Sequence, residues 1–137
     1  MKINLQVYYD LRFPVWSRQS PVSFEEWPVV RPAPEYDLLI YVANWPERRI
    51  HAWKTLLQAR AIENQSYVIG VNRVGTDGND IYYSGDSMIV DPLGKVIYQK
   101  AHDEDVFTMT FYKEVVDEIR NQFPFWKDAE HFIIMPK

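Results

Sequence analysis

The run Leu38-Leu39-Ile40-Tyr41-Val42-Ala43 has no polar residue to turn toward water. A half-exposed strand alternates, so a stretch that is apolar at every position reads as a central strand covered on both faces. The residues after it set the local order. Asn44 stands three positions before Glu47, the spacing of a capping box, and Pro46 falls in the first turn, so a helix is expected from near Pro46. Ile50, Trp53, Leu57 and Ala61 then recur at helical spacing to about Asn64, with Arg48, Arg49, Lys54 and Arg60 mostly on other faces. Tyr67 to Val71 is a second buried strand, followed by the turn cluster Gly75-Thr76-Asp77-Gly78-Asn79.

Other segments read as follows. Ile3 to Tyr9 alternates as a strand and runs into the turn Asp10-Leu11-Arg12-Phe13-Pro14. Gln19 to Glu35 carries four prolines (Pro21, Pro28, Pro32, Pro34), keeps no period, and is expected to be a surface loop. Ser87 to Val90 and Lys95 to Tyr98 flank Asp91-Pro92-Leu93-Gly94 as a hairpin. Val106 to Tyr112 alternates as one more strand, and Lys113 to Phe123 reads as a short helix with Val116, Ile119 and Phe123 on one face.

A chain of 137 residues holds one domain, and 47% apolar with 25% charged residues is a balance that packs a core. Its 15% aromatic content calls for a thick core or an interface to cover such large side chains. No apolar run approaches the roughly 20 residues that cross a bilayer, and no signal-peptide pattern opens the chain, so a cytoplasmic protein away from membranes is expected. A net charge of −4 repels phosphate backbones and argues against nucleic acid as a partner. The absence of cysteine removes disulfides, thiolate metal sites and thiol nucleophiles together.

Most chemistry-bearing residues read as ordinary. His51, His102 and His131 have no ligand spacing, so no metal site and no cofactor are expected. Gly85-Asp86-Ser87 lacks the second glycine of a hydrolase elbow. Glu25 and Glu26 read as solvated charge, and Asp77 and Asp80 lack the twelfth-position glutamate of a calcium loop. The junction Val7-Tyr8-Tyr9-Asp10-Leu11-Arg12-Phe13-Pro14 stands apart, because a strand ending in a tight turn aims backbone N–H groups at one spot and can stabilise an oxyanion.

Several stretches in order, residues 9–18 (Tyr9-Asp10-Leu11-Arg12-Phe13-Pro14-Val15-Trp16-Ser17-Arg18), residues 41–46, residues 59–65, Asn72-Arg73-Val74-Gly75, Gly85-Asp86-Ser87 and Asp91-Pro92-Leu93-Gly94, give the chain a specific pattern. It resembles the carbon-nitrogen hydrolase (nitrilase) superfamily, in its omega-amidase-like branch, and only the C-terminal half of such an enzyme. The resemblance implies an α/β fold, part of an α-β-β-α sandwich that is incomplete without the N-terminal half. It also implies a Cys nucleophile, a Glu base and a Lys that helps hold the oxyanion, the last two from the absent half. The nucleophile position here is Tyr8. A phenol with a pKa near 10 is about a thousandth ionised at pH 7 and is a poor nucleophile without a base, so Tyr8 reads as an aromatic plug.

By the same resemblance the Tyr9 backbone N–H would line the oxyanion site, and Asn44 and Trp45 the acyl pocket; Asn44 reads equally as a helix cap and Trp45 as core. Arg12, Arg60 and Glu63 would fix the elbow and the helix. The 19–35 loop would alter pocket access or decorate the surface. The implied substrate is a small-molecule amide, the terminal amide of a dicarboxylate or keto-acid monoamide, and the implied assembly is a homodimer. Half of such a sandwich leaves an apolar face, so the chain is expected to self-associate or to need a partner that supplies the N-terminal half. Two functional readings follow: an amidase-derived chain inactive alone, or a non-catalytic remnant that binds itself or an intact amidase-like subunit. A third, a free-standing binder of a small acid, rests on Asn44 and Trp45 alone.

Overall fold

Alternation in the first residues makes β1 (Ile3–Val7), and the continuous apolar run makes β2 (Leu38–Ala43). The computed structural model describes residues 1–19 and 34–129; most of the expected 19–35 loop, with Glu25 and Glu26, lies outside the described residues, as does His131. A short helix α1 (Pro14–Ser17) follows the β1 turn, with Pro14 at its first position. The long helix α2 (Ile50–Asn64) leads to β3 (Tyr67–Asn72) and β4 (Val74–Thr76). A hairpin of β5 (Tyr82–Val90) and β6 (Val96–Ala101) comes next, then α3 (Lys113–Gln122).

The strands form one mixed sheet. β1, β2 and β3 are parallel, β3 and β5 antiparallel, and β6 pairs with the other edge of β5. β4 continues beyond β3 on the same side of β5. The register Ile3↔Leu38, Leu5↔Ile40, Val7↔Val42 and Leu38↔Tyr67, Ile40↔Ile69, Val42↔Val71 places these nine side chains on one face. The opposite face carries Leu39, Tyr41, Val68, Met88 and Val90 and packs against Trp53, Leu57 and Ala61 of α2. The chain is thus α/β, as expected.

Helix and sheet meet closely at Gly70. A methyl there would lie 2.5 Å from a Leu57 methyl and 2.6 Å from the buried Trp53 ring. At the hairpin turn, Asp91 Oδ1 accepts from the Leu93 and Lys95 N–H groups, each at 2.9 Å, and Gly94 takes φ +88°.

The second face is only partly covered. Val116 of α3, with Phe111 and Val115, packs on Leu38 and Tyr67, while Ile3 (56% exposed), Leu5 (73%), Val7 (61%), Val42 (50%) and Val71 (48%) face outward. Side by side on one face, they form an exposed apolar surface.

Three expectations need correction. Residues 106–112 are not a strand: they have no pairing partner among the described residues, and Val106, Phe107 and Tyr112 are exposed. Alternation supplies the pattern of a strand, but a neighbour has to supply its hydrogen bonds. The capping box of Asn44 and Glu47 does not form, because Pro46 is extended (ψ 146°) and caps a 3-10 turn at Glu47–Arg49 with no side-chain bond. Finally, α3 buries Val116 and Arg120 while Phe123 stays exposed, because Arg120 pairs with Asp37 at 3.0 Å and donates to the Tyr36 carbonyl at 2.7 Å.

Gly70→Ala should destabilise the protein by about 1–3 kcal/mol, since the added methyl overpacks a junction walled by an indole. Urea unfolding monitored by tryptophan fluorescence measures it; an unchanged midpoint would place slack between α2 and the sheet.

Candidate functional site

β1 ends at Val7, and Tyr8 turns the chain with φ +36°, in the left-handed region that a bulky residue rarely enters. Such a conformation costs about 1–3 kcal/mol and persists only where the surroundings enforce it. The enforcing contacts are local and long-range. The Val7 N–H donates to Asp10 Oδ2 at 2.9 Å, and the Phe13 N–H to the Asp10 carbonyl at 3.0 Å, closing a 3-10 turn over Tyr8–Arg12. Arg60 Nη2 donates to the Leu11 carbonyl at 2.6 Å while its Nη1 pairs with Glu63 at 3.0 Å, so the middle of α2 grips the elbow. Arg60 is therefore buried, seven residues after Trp53 and on the same face of α2, unlike the basic residues expected on its other faces.

The Tyr8 ring stands edge-on to Trp45 at 5.5 Å and near the Tyr9 ring at 6.1 Å. Its hydroxyl accepts a hydrogen bond from Arg49 Nη2 at 2.7 Å. Trp45 is 1% exposed, lies 5.6 Å from the Trp53 ring, and donates its indole N–H to the Arg49 carbonyl at 2.8 Å. The guanidinium carbons of Arg12 and Arg49 sit 4.7 Å and 5.9 Å from the Trp45 ring centre. Of the four expected site residues, Tyr8 and Trp45 are in contact. Tyr9 is exposed with its ring on Phe13 at 5.3 Å, and Asn44 is exposed beside Trp45.

Two residues that hold the site carried no role in the sequence reading. Asn72, at the end of β3, accepts the Trp45 N–H at 2.7 Å and donates to the Trp45 carbonyl at 3.0 Å and the Gly85 carbonyl at 2.6 Å. The signal that could have found it is a carboxamide closing an apolar strand. Asp86 sits in a β5 bulge with φ +54°. Its carboxylate accepts from Lys54 Nζ, Ser84 Oγ and Gln99 Nε2, each at 2.7 Å, and its carbonyl accepts the Trp53 indole N–H at 2.9 Å. Burial pushes the Asp86 carboxyl up, but these three donors outweigh it and hold it below its ordinary value. On the opposite face of the sheet lies an open depression of about 640 Å³, lined by Ile69, Val71, Ile89, Tyr98 and Phe107 among others, but by none of the four expected site residues. Among the described residues no group of three or more His, Cys, Asp or Glu side chains is placed to hold a metal ion, and no helix is long and apolar enough to cross a membrane.

The elbow, the buried indole behind it and the carboxamide clamp are the frame on which comparison with known proteins bears. Residues 23–121 match the family model described as carbon-nitrogen hydrolase. The chain belongs to the carbon-nitrogen hydrolase family. It is 46% identical over 127 residues to omega-amidase YafV of Escherichia coli (strain K12), a match that covers 92% of this chain and 44% of that protein. It is 32% identical over 122 residues to 2-oxoglutaramate amidase of Bacillus subtilis (strain 168), covering 89% of this chain and 42% of that protein. The crystal structure of XC1258 from Xanthomonas campestris, a carbon-nitrogen hydrolase superfamily protein with an arsenic adduct in its active site, superposes with a TM-score of 0.87 at 46% identity, over 97% of this chain and 48% of that one. This carbon-nitrogen hydrolase chain thus spans less than half the length of the curated relatives it matches.

Asn72→Ala should cost about 2–3 kcal/mol, because it strands the Trp45 peptide group without partners; urea unfolding at neutral pH reads the loss. Asp86 gives a second test. Its carboxyl is held low in the folded state, so its contribution is complete above the ordinary carboxylate pKa of about 4 and fades as pH falls through the lower folded value. Unfolding free energy measured from neutral pH down through that window should fall less steeply in Asp86→Asn than in the unaltered chain; equal slopes would mean that Asp86 titrates alike in both states.

Proposed function

We propose that this chain is the elbow-bearing, C-terminal half of an omega-amidase-like hydrolase, with Tyr8 at the nucleophile position, and that it is catalytically inactive alone. The observation that carries this reading is the positive φ of Tyr8. An aromatic side chain gains nothing from a left-handed backbone, whereas a nucleophile does, because that turn presents the residue while aiming the following N–H groups at the same point. In this reading the Tyr9 N–H belongs to the oxyanion site, and Asn44 and Trp45 flank the acyl pocket. Hydrolysis of the terminal amide of a short dicarboxylate monoamide would require a nucleophile to attack the carbonyl, expel ammonia and yield the acyl group to water. The phenol of Tyr8 is engaged by Arg49 and has no carboxylate base in contact with it among the described residues. The relatives named for omega-amidase and 2-oxoglutaramate amidase activity support the substrate class.

A second reading is favoured by a separate observation, the exposed row Ile3, Leu5, Val7, Val42 and Val71. An apolar surface of this kind is a contact surface on a soluble protein, so the chain acts as a binding module for a second copy or for a subunit that bears the N-terminal half of such an enzyme.

Purified chain should release no ammonia from 2-oxoglutaramate above buffer, and turnover by the unaltered chain would overturn the inactive assignment. Light scattering at micromolar concentration should show dimers or larger species, with a stable monomer counting against the contact surface. Co-expression of Tyr8→Cys with the N-terminal half of a close relative should restore turnover if the halves complement each other.

A further inference from the structure

The buried guanidiniums of this chain are not equally provided for. Arg60 faces Glu63 and Arg120 faces Asp37, each at 3.0 Å. Arg49 is half-buried, and among the described residues no carboxylate lies within ion-pair distance of it. All three leave Nε buried without a partner, but Arg60 and Arg120 each set one terminal nitrogen on a carboxylate, whereas Arg49 sets its own on a neutral group, the Tyr8 hydroxyl. A partly desolvated guanidinium that meets only a phenol forgoes the stronger, charge-assisted bonds its planar fork is built to make.

The backbone of Arg49 is fixed on both sides. Its N–H donates to the Pro46 carbonyl at 3.0 Å, and its carbonyl accepts the Trp45 indole N–H at 2.8 Å. The side chain is thereby aimed along the Trp45 ring at the outer end of the position 8 side chain. The phenol oxygen is the outermost atom of the position 8 side chain, and a short diacid held there on a smaller nucleophile would carry its free carboxylate at least as far from the elbow Cα.

We propose that Arg49 is the anchor for the free carboxylate of a short dicarboxylate monoamide, and that the Tyr8 phenol occupies that subsite. The inference rests on reading position 8 as the acyl-accepting position, and it assigns the specificity contact to a residue of the turn before α2. The carboxylate could come from a small molecule or from a side chain of an associating subunit, and the arms of the test separate the two.

Tyr8→Gly removes the plug and fits the positive φ at no steric cost. In this variant of the full chain, calorimetric titration should show succinamate binding at least tenfold more tightly than butyramide, which has the same amide but no carboxylate. Arg49→Gln in the same background should erase the difference, and the unaltered chain should bind neither. Equal affinity for the two amides with or without Arg49 would overturn the proposal while leaving the amide pocket in place. Loss of self-association in Arg49→Gln with succinamate preference intact would also overturn it, and would assign Arg49 to a protein carboxylate.

Tyr8→Phe guards against misfolding of the glycine variant, since it keeps the ring on Trp45 and deletes only the acceptor. Formate should then shift the Arg49 Nε–H resonance in Tyr8→Phe and not in the unaltered chain. No shift in either would overturn the anchor. A formate shift together with no amide binding by Tyr8→Gly would uphold the carboxylate anchor and fail the amide pocket instead.

Discussion

One carboxamide joins the three segments on which the site stands. Asn72 ends β3, the Trp45 peptide lies just past β2, and Gly85 opens the β5 bulge; their polar groups would be buried without partners if the carboxamide were absent. A buried amide that uses both its oxygen and its nitrogen in this way fixes orientation as well as position, since a flipped group would satisfy none of them. Trp45 is therefore held in a single pose, and everything stacked on it inherits that pose. The Tyr8 ring, the Arg12 and Arg49 guanidiniums and the Trp53 indole are all within ring-contact distance of it.

The parts legible in the sequence were those whose cause is local. Leu38–Ala43 announced a covered strand because every residue in it is apolar, and Trp53, Leu57 and Ala61 announced the buried stripe of α2 because their spacing matches a helix turn. The Asp91-Pro92-Leu93-Gly94 turn needed only its own side chains. The illegible parts depend on distant partners. The partners of Arg60 and Arg120 are of this kind: Leu11 and Asp37 lie 49 and 83 residues away in the chain, and nothing in the local pattern names them. The alternation of residues 106–112 was real, but a strand is a relation between two segments, and the described residues offer no second one. At the site, the motif around Tyr8 located the elbow, and Trp45 was found beside it. Arg49 and Asn72 were missed because neither lies in a pattern that names a role.

The elbow combines two features that pull in different directions. Its backbone is strained in the manner of a residue that must be presented, yet the residue presented is a large ring packed edge-on against an indole and capped by an arginine. The backbone is maintained by the Arg60 bond to the Leu11 carbonyl and by the Asp10 side chain, whatever occupies position 8. The side chain is then free to differ, because no contact that shapes the turn passes through it. The frame of this turn and the side chain it carries are separable in this chain.

The parallel pairing of β1 with β2 has a consequence for how the molecule assembles. Ile3 finds its partner Leu38 across 35 residues, whereas Val90 and Val96 meet across a short turn. Closing the longer loop is entropically dearer and comes with high contact order, so the β5–β6 hairpin has the kinetic advantage and β1 docks onto a sheet edge already made. The Asp10 bond that shapes the turn at Tyr8 is local, but the Arg60 bond to the Leu11 carbonyl reaches across 49 residues and needs β1 seated. Ordering of the elbow is thereby tied to the seating of β1 against β2.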